Sequence, residues 1–444
     1  MNRLPPGTLI AFYGDDFTGS TAVAEVLTFA GLPTVLFLDV PTAEQSARFA
    51  GWPGIGIAGV ARSMSPAWME RTLPPVFEHL RSLSAPITHY KVCSTLDSAP
   101  HVGSIGRAVE LAAPRLGGRW HPLVLAAPAI ARYQAFGTLF AAVEGEAFRL
   151  DRHPTMSRHP VTPMHEADVR RHLARQTDMP IGLIDLVALK SGRSEERLEA
   201  CPTGGMVALD VVDEESLEAA GRLIWEQRGD RLFAVGSQGV EYALVAHWRA
   251  RGMLPPAPDM RLERAARVAV VSGSCSPVTA AQIRHATAHG FTGIRIDAGA
   301  AVDERRWAAE IERVAAAARE AVARGSDPLA YTATGPDDPA IGALAEALAA
   351  SGADRERVHE RIGCSLGLVL DRVMSESGID RGVIAGGDSS GHAAMAMGIE
   401  ALSARAPVAP GSMLCTAHRR NGDLELALKG GQMGGVDYFT AVKG

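Results

Sequence analysis

Short apolar runs alternate with amphipathic stretches along most of the chain. Continuous apolar runs of this length are typical of strands buried on both faces, and the stretches between them repeat their apolar positions as helices do. The alternation predicts βαβ units and mostly parallel sheets. In the first 250 residues the predicted strands are Leu9–Tyr13, Thr34–Leu38, Gly54–Val60, Ile87–Cys93, Leu123–Ala127, Gly182–Asp185, Met206–Asp210 and Leu232–Val235.

Helices are predicted between these strands, and an irregular stretch at 150–165 interrupts the pattern once. The helices predicted in this half are Ser20–Ala30, Ala43–Ala50, Ala67–Ser82, Ile105–Ala113, Glu215–Gln227 and Gly239–Arg251.

The alternation stops at Arg251–Arg264, where three prolines and clustered charges predict a linker. It then resumes. We therefore predict an α/β protein with two α/β domains, at 1–251 and 267–444, joined by a linker at 252–266 and separated by a cleft. The later strands are predicted at Val268–Val271, Gly293–Ile296, Leu329–Thr332, Gly382–Ile384 and Leu424–Lys429, and the later helices at Val278–His289, Asp303–Ala323, Arg355–Ser377 and Gly391–Leu402.

Composition narrows the class of protein. With 47% hydrophobic and 21% charged residues, the chain is neither mainly disordered nor a coiled coil. Its formal net charge of −6 argues against a broad surface for nucleic acid or anionic membranes. No apolar run reaches the roughly 18–20 residues of a membrane span, and no signal peptide precedes the first strand. We expect a soluble cytoplasmic protein without nucleic-acid or membrane partners; its oligomeric state, a homodimer included, stays open.

Cysteine and lysine usage adds two observations. Five scattered cysteines, an odd number without a C-x-x-C pair, argue against a disulfide framework and fit no zinc-binding pattern. Only four of the 44 basic residues are lysines, namely Lys91, Lys190, Lys429 and Lys443. Nucleotide composition of the gene is one cause of such a bias, but a lysine kept in an arginine-rich chain is slightly more often needed as a compact charge.

A dinucleotide-binding motif occurs in the wrong place. Gly54–Gly59 matches G-x-G-x-x-G, but its intervening residues are apolar, so the glycines are predicted inside a strand and not in the turn that opens a helix. A P-loop motif is absent from the sequence. Neither a nicotinamide site nor a P-loop NTPase is therefore favoured.

Two adjacent carboxylates, Asp15 and Asp16, follow the first predicted strand between glycines. Parallel α/β sheets bind ligands at the carboxyl ends of their strands. A pair of carboxylates there is costly unless it meets a cation, a hydroxyl or a shared proton. We interpret the pair as part of a site, with Thr18 and Ser20 available to cap the helix; the alternative is one capping and one solvated aspartate.

Polar side chains also follow two other strands. Lys91, Ser94, Thr95 and Asp97 combine a cation, hydroxyls and a carboxylate, a set that suits a small polyhydroxylated anion. Arg62 offers a second cation at the same sheet edge. An ordinary strand end with an exposed arginine is the alternative.

The irregular stretch carries two Arg-His-Pro triplets, one of which contains Arg158. Such a loop could present cations to an acidic substrate or simply be exposed. No carboxylate pair or cysteine accompanies its histidines, so we assign no metal-ligating residue.

Three glycine-rich and hydroxyl-rich loops lie in the second half, and two of them join a strand to a helix. Loops of this kind turn backbone N–H groups and helix N-termini toward anions. Three together favour a phosphate-binding domain. They are Ser272–Pro277, Ala385–Gly391 and Leu428–Gly435.

The chain resembles the four-carbon acid sugar kinases over nearly its whole length. The resemblance implies an N-terminal domain for the acid sugar and a C-terminal domain for ATP, with phosphorylation of acids such as threonate, erythronate or 3-oxo-tetronate. Where many members have Asn-Gly-Arg, this chain has Ala129–Gly137, and Ser389 replaces a commoner threonine. The motifs that carry the resemblance are Gly14–Gly19, Lys91–Ser98, His159–Met164, Val271–Ser276, Gly386–Gly391 and Lys429–Gly431.

From the resemblance and the loop chemistry we expect a kinase that uses ATP and Mg²⁺ in carbohydrate catabolism. Asp16 or Asp15 would accept the proton of the attacking hydroxyl, and closure about 252–266 would exclude water. The candidate acid-binding residues are Arg62, Lys91, Ser94, Thr95, Asp97 and Arg158, and the candidate nucleotide-binding residues are Ser272, Ser274, Gly386, Gly387, Asp388, Ser389, Lys429, Gly430 and Gly431.

Two other classes stay open. A nicotinamide-dependent hydroxy-acid dehydrogenase would also need two α/β domains and a cationic pocket, although the misplaced glycine motif argues against it. A non-catalytic protein that binds sugar acids would keep the first pocket but would have no use for three phosphate-type loops.

Overall fold

The chain divides into two units, Met1–Pro258 and Asp259–Gly444, in a computed structural model that describes residues 3–143, 145–409 and 412–444. The side chains of Asp388 and Ser389 are outside the described part. Each unit has the predicted α/β architecture. Among the described residues, no helix combines the length and the apolarity that crossing a membrane requires.

The N-terminal unit is built on a parallel sheet with the strand order β2-β3-β1-β4-β11-β5-β10-β9. Most of its strands are buried along their whole length, which explains their continuous apolar sequences. The strands are β1 Ile10–Gly14, β2 Thr34–Phe37, β3 Gly54–Ala58, β4 Ile87–Lys91, β5 His121–Val124, β9 Ile181–Ile184, β10 Met206–Leu209 and β11 Leu232–Gly236.

A small antiparallel sheet, which the sequence did not predict, follows β5. It consists of β6 Arg132–Ala135, β7 Thr138–Val143 and β8 Glu146–Arg149. The helices of this unit are α1 Phe17–Phe29, α2 Ala43–Ala47, α3 Pro66–Ser82, α4 Ile105–Leu116, α5 Val169–Leu173, α6 Leu186–Lys190, α7 Ser194–Glu199, α8 Glu214–Glu226 and α9 Gly239–Ala250.

The C-terminal unit has a sheet with the order β13-β14-β12-β15-β18-β17-β16, parallel up to β18 and antiparallel beyond it. Its strands are β12 Val268–Ser272, β13 Phe291–Arg295, β14 Asp327–Tyr331, β15 Arg381–Ala385, β16 Ile399–Ala409, β17 Ser412–Arg419 and β18 Leu424–Lys429. Its helices are α10 Pro277–Ala288, α11 Glu304–Ala323, α12 Pro339–Ser351, α13 Arg355–Ser377, α14 Asp388–Ala396 and α15 Tyr438–Ala441.

The helix predicted over Gly391–Leu402 is wrong in its second half. Helix α14 ends at Ala396, and Gly398 has a φ of +71°, a left-handed conformation that glycine adopts readily just after a helix. The chain then enters β16, whose residues pair with β17. Pairing across the sheet therefore overrides the local helical pattern.

The first four strands of the two units have the same spatial order. The N-terminal unit has β2-β3-β1-β4, and the C-terminal unit has β13-β14-β12-β15. In both units the second strand lies two positions from the first, the third strand fills the gap between them, and the fourth strand pairs with the other side of the first. Ligands of open α/β sheets bind at such a reversal, which lies between β1 and β4 in one unit and between β12 and β15 in the other.

Candidate active site

One arginine bridges both carboxylates that follow β1. The Nη2 of Arg62 lies 2.6 Å from Oδ1 of Asp15 and 2.6 Å from Oδ1 of Asp16. Arg62 belongs to a short helical turn after β3, the strand that pairs with β1. Its backbone N–H also donates to the Asp15 carbonyl oxygen. The strand order therefore brings together the cation and the carboxylates that the sequence separates.

The two carboxylates have different surroundings. Asp15 is 1% exposed, whereas the Asp16 side chain is 26% exposed. Asp16 also caps α1, because its Oδ1 accepts from the Gly19 N–H at 2.9 Å. Capping by Thr18 or Ser20, which the sequence suggested, is wrong: α1 begins at Phe17, and the Ser20 hydroxyl donates to the Asp16 carbonyl oxygen.

Burial and charge act in opposite directions on this cluster. Burial raises the pKa of Asp15, the charge of Arg62 lowers it, and the charge of Asp16 raises it again. Burial lowers the pKa of Arg62, but the charges of Asp15, Cys93 and Asp16 more than offset this, and its pKa is raised overall. Arg62 therefore stays a cation, while burial keeps the pKa of Asp15 above its usual value.

Lys91 ends β4 beside the same carboxylates. It is 2% exposed, and its Nζ donates to the Val92 carbonyl oxygen at 2.7 Å. A Cβ added at Gly19 would lie 2.7 Å from this Nζ and 2.3 Å from Asp16 Oδ1, so the ammonium and the carboxylate both pack against Gly19. This close approach explains a glycine in the first turn of α1.

The loop after β4 meets the irregular stretch. The Thr162 hydroxyl donates to Asp97, and it lies 2.8 Å from His159 Nδ1, which is 3.8 Å from Asp97 Oδ1. Thr95 is buried beside Cys93, with 3.0 Å between their side-chain hydroxyl and sulfur. Ser94 is half-buried in the same loop.

Arg158 is placed differently from the other candidates for acid binding. It is exposed, and in the described part of the chain its guanidinium makes no hydrogen bond to Asp97 or to the aspartates after β1. His159, its neighbour, is the residue of the triplet that faces Asp97. The role of Arg158 stays a prediction.

Two residues that the sequence reasoning did not select, Cys93 and Arg132, also lie here. Burial is the largest effect on the pKa of Arg62 and of Arg132 and lowers both, and Cys93 lies close enough to each guanidinium to raise its pKa in turn. Arg132 begins β6, and its Nε is buried without a partner among the described residues. Ala131 before it has a φ of 55° and a ψ of 47°, a conformation that favours glycine. Arg132 lies within Ala129–Gly137, the stretch at which the sequence departs from the Asn-Gly-Arg of the family it resembles, and that departure is the signal that could have drawn attention to it.

Three loops meet at the carboxyl edge between β12 and β15 in the C-terminal unit. The Gly273 N–H donates to the Ala385 carbonyl oxygen at 3.0 Å, and the Gly386 N–H donates to the Lys429 carbonyl oxygen at 2.9 Å. The Ser276 hydroxyl, which caps α10, donates to the Gly431 carbonyl oxygen. The three loops chosen from the sequence are thus joined into one surface.

The serines of the first loop form a chain of turns. Ser272 is fully buried and accepts from the Ser274 N–H at 3.4 Å, and Ser274 accepts from the Ser276 N–H at 3.2 Å. Gly386 has a φ of +150° at the end of β15, and Gly387 precedes α14. The predictions for the side chains of Asp388 and Ser389 fall outside the described residues.

Lys429 points into the protein. Its Nζ donates to Thr279 Oγ1 at 3.0 Å and to the carbonyl oxygens of Gly430 and Gly431 at 2.9 and 3.4 Å. Burial lowers its pKa to about 8. These hydrogen bonds connect the glycine-rich loop to Thr279 in the first turn of α10. Lys429 therefore stabilises the conformation of the loop, and this role does not depend on a contact with phosphate.

The two edges differ in chemistry. The β1/β4 edge combines fixed cations with one partly exposed carboxylate, which suits a small acid with hydroxyl groups. The β12/β15 edge offers glycine backbone and capped helix N-termini, which suit phosphates. Among the described residues there is no group of three or more His, Cys, Asp and Glu side chains that could hold a metal ion.

Comparisons with known proteins agree with this division. Residues 10–244 match a family model described as a sugar-binding N-terminal domain, and residues 269–439 match one described as a nucleotide-binding C-terminal domain. A 3-oxo-isoapionate kinase from Paraburkholderia graminis is 50% identical over 99% of this chain and 95% of its own length. A 3-oxo-tetronate kinase from Cupriavidus necator is 30% identical over 97% of this chain and 95% of its own.

Solved structures show the same fold. A crystal structure of a Haemophilus influenzae protein matches with a TM-score of 0.74 and 23% identity, over 98% of this chain and 99% of that one. A Salmonella typhimurium protein matches with a TM-score of 0.79 and 23% identity, over 97% and 98%.

Proposed function

The chain belongs to the acid sugar kinases that join a sugar-binding N-terminal domain to a nucleotide-binding C-terminal domain, and we propose that it transfers the γ-phosphoryl group of ATP to a hydroxyl of a 3-oxo sugar acid. The resemblance found in the sequence is thereby confirmed. The observation that carries the proposal is the contact of Arg62 with both Asp15 and Asp16 beside Lys91. It provides cations for an acid and a carboxylate for a hydroxyl proton at one edge of the sheet.

The relatives narrow the choice of acid. The relative named for 3-oxo-isoapionate is 50% identical, whereas those named for 3-oxo-tetronate are at most 30% identical among the ones compared. We therefore expect 3-oxo-isoapionate to be the better substrate and 3-oxo-tetronate to be a poorer one.

The reaction assigns a role to each group in the pocket. Arg62 and Lys91 attract the substrate carboxylate, and the half-buried loop Ser94–Asp97 contacts its hydroxyls. Asp16 accepts the proton of the attacking hydroxyl, because its Oδ1 is occupied by Arg62 and Gly19 and its second oxygen is left for the substrate. The hydroxyl oxygen forms a bond to the γ-phosphorus, the bond from that phosphorus to the bridging oxygen of ADP breaks, and ADP leaves.

The nucleotide would occupy the β12/β15 edge. Backbone N–H groups of the serine loop and of Gly386–Gly387 would contact its phosphates, with Gly430 and Gly431 covering them. Mg²⁺ usually binds phosphates together with one or two carboxylates and several waters. The sequence supplies a carboxylate for this ion at Asp388, the first residue of α14, and the ion would neutralise phosphate charge at this edge.

An ADP-release assay over a panel of acids tests the proposal. We expect release with 3-oxo-isoapionate, less with 3-oxo-tetronate, threonate and erythronate, and none with the uncharged sugar erythrulose. Arg62→Met should raise the KM for the acid about a hundredfold, since a charge-assisted contact contributes roughly 1.5–3 kcal/mol. Arg71→Met, at an exposed site on α3, serves as the control. No release with any acid would contradict the proposal.

A further inference from the structure

A pocket of about 460 Å³ lies beside α10 in the C-terminal unit. Its size is within the roughly 300–1,000 Å³ that ligand pockets occupy. One wall is the face of α10 formed by Pro277, Ala280 and Arg284, and the other is the loop Thr334–Pro339 that follows β14. The opposite face of α10 is used differently, since Thr279 and Gln282 hydrogen-bond to the glycine-rich loop.

Hydrogen bonds to Asp338 stabilise the loop that forms the second wall. Asp338 accepts two hydrogen bonds from Arg295, each 2.9 Å long, and further bonds from the Thr334 N–H and hydroxyl at 2.7 and 2.6 Å. These bonds, led by the one from Arg295, hold the pKa of Asp338 well below its usual range. Asp338 is therefore fully used by the protein and is not available to a ligand.

The side chains that remain available have a distinct composition. Pro277, Pro336 and Ala280 give flat apolar surface, while Asp337 and Arg284 are exposed. In the described part of the chain, neither of these two charged side chains has an ion-pair partner. Flat apolar walls with one free carboxylate and one free guanidinium suit a purine nucleoside, whose base stacks and whose ribose donates hydrogen bonds.

The pocket is continuous with the predicted phosphate-binding surface. Pro277 directly follows Ser276, the residue that caps α10 and contacts the glycine-rich loop. Burial raises the pKa of the Cys275 thiol, and the negative charge of Asp338 raises it further, which shows that the two side chains lie close together. A ligand with phosphates on the serine loop would therefore reach this pocket without crossing a strand.

The shared strand order supports the same assignment. In the N-terminal unit the loops after β1, β3 and β4 build the acid pocket, and the loop after β3 supplies Arg62. The strands in the same positions of the C-terminal unit are β12, β14 and β15. The loop Thr334–Pro339, which follows β14, therefore corresponds in position to the loop after β3 that supplies Arg62.

We propose that this pocket holds the base and ribose of ATP, with the base against Pro277, Ala280 and Pro336. Arg284 stacks on the base, and Asp337 accepts hydrogen bonds from the ribose hydroxyls. This inference rests on the proposed use of ATP and names the part of the chain that distinguishes ATP from its phosphates alone.

Binding measurements on the whole protein test it without the sugar acid. Calorimetry would give the Kd of a non-hydrolysable ATP analogue and of inorganic tripolyphosphate. Arg284→Glu should weaken binding of the analogue about tenfold, because the variant loses the attraction of a guanidinium stacked on an aromatic face. The same variant should leave tripolyphosphate binding within twofold. Arg306→Glu, at an exposed position on α11, should change neither and is the matched control.

A second variant tests the ribose contact. Wild-type protein should bind the ATP analogue more tightly than its 2′,3′-dideoxy form, and Asp337→Ala should remove most of that preference. Equal losses for the analogue and tripolyphosphate in Arg284→Glu, or a retained preference in Asp337→Ala, would overturn the assignment. Absence of kinase activity with every acid, despite normal analogue binding, would instead contradict the proposed function and leave the pocket standing.

Discussion

Asp15 and Asp16 are adjacent in sequence, yet the fold gives them separate work. Asp15 is buried against Arg62, whereas Asp16 caps α1 and stays partly exposed. An ionised carboxylate that must accept a proton from a ligand has to be reachable by that ligand. Asp15 therefore positions Arg62, and Asp16 is the candidate base.

Asparagine substitutions separate these two roles. Asp16→Asn should lower kcat about 10²- to 10⁴-fold with little change in the free energy of unfolding, because asparagine is also a good N-cap. Asp15→Asn should cost about 1.5–3 kcal/mol of stability, since the asparagine oxygen keeps only part of the charge-assisted contact with Arg62, which still pairs with Asp16. Steady-state kinetics and urea unfolding measure both. Near-normal kcat in a folded Asp16→Asn variant would remove Asp16 from the base role.

Lys429 should make nucleotide binding sensitive to alkaline pH. As a cation its three hydrogens match three acceptors, Thr279 Oγ1 and two glycine carbonyls. Burial lowers its pKa from 10.5 to about 8, so it loses a hydrogen and its charge as the pH rises through 8. We expect the KM for ATP to rise above pH 8, while kcat changes less.

The free energy of unfolding should respond to alkaline pH in the opposite sense to ATP binding, because the contribution of Lys429 to it should increase. Between pH 8 and 10.5 the unfolded chain holds the Lys429 proton more tightly than the folded one, so this residue's contribution to stability rises with pH. Lys429→Arg keeps a charge at all these pH values and should remove the alkaline rise in KM. A KM profile identical in wild type and Lys429→Arg would contradict this role.

At the scale of elements, one buried carboxylate holds the unpredicted hairpin of β6 and β7. Asp210 is fully buried and accepts from the Gln134 side chain and from the backbone N–H groups of Phe136, Gly137 and Leu186. Phe136 has a φ of +51° in the two-residue turn, an unusual conformation for a side chain of its size. Asp210 therefore stabilises a strained turn, and β6 in turn carries Arg132.

Replacing this carboxylate should unfold the hairpin preferentially. Asp210→Ala leaves several N–H groups unsatisfied and should cost about 3 kcal/mol of stability. Phe136→Asn should instead be neutral or slightly stabilising, because asparagine before glycine favours turns with positive φ. Urea unfolding measures both. A neutral Asp210→Ala would show that other contacts hold the turn.

The accuracy of sequence-based prediction differs between kinds of element. Strands such as β1, β11 and β12 are buried throughout, so their apolar runs are unambiguous. The small sheet is only partly buried, and β8 is largely exposed, which leaves little apolar pattern to recognise. Helix α12 was missed because its alanine-rich sequence follows a turn rich in proline and aspartate. An apolar run therefore identifies a strand only where the burial of that strand is continuous.

At the scale of the whole molecule, one arrangement of four strands is used twice. The order β2-β3-β1-β4 of the N-terminal unit recurs as β13-β14-β12-β15 in the C-terminal unit. Each unit therefore brings the loops that follow its first and fourth strands together at a crevice of its own. The N-terminal crevice is lined by charged side chains, and the C-terminal one by glycine and serine. On the proposed function, the same framework binds an acid in one unit and phosphates in the other.

Hydrogen exchange on the whole chain should separate these two sites. A sugar acid should slow exchange in segments 13–20, 60–64 and 91–98, and an ATP analogue in segments 272–276, 334–340, 384–391 and 429–435. At a hundred times its Kd, either ligand stabilises the folded state by about 2.7 kcal/mol, enough for a clear effect. Arg62→Met should lose only the first pattern. Protection of the first set by the ATP analogue alone would contradict the division.

By itself, the sequence determined the α/β class, the candidate loops and the family. Parallel strands place all their carboxyl ends at one edge, so reading where strands end was enough to find Asp15, Asp16, Lys91 and the glycine-rich loops. Only the tertiary structure decided which of these groups meet. The strand order brings Arg62 to aspartates 46 and 47 residues away, and burial separates Asp15 from Asp16 and turns Lys429 inward. Strand order and burial depend on packing between distant segments, which local periodicity does not record.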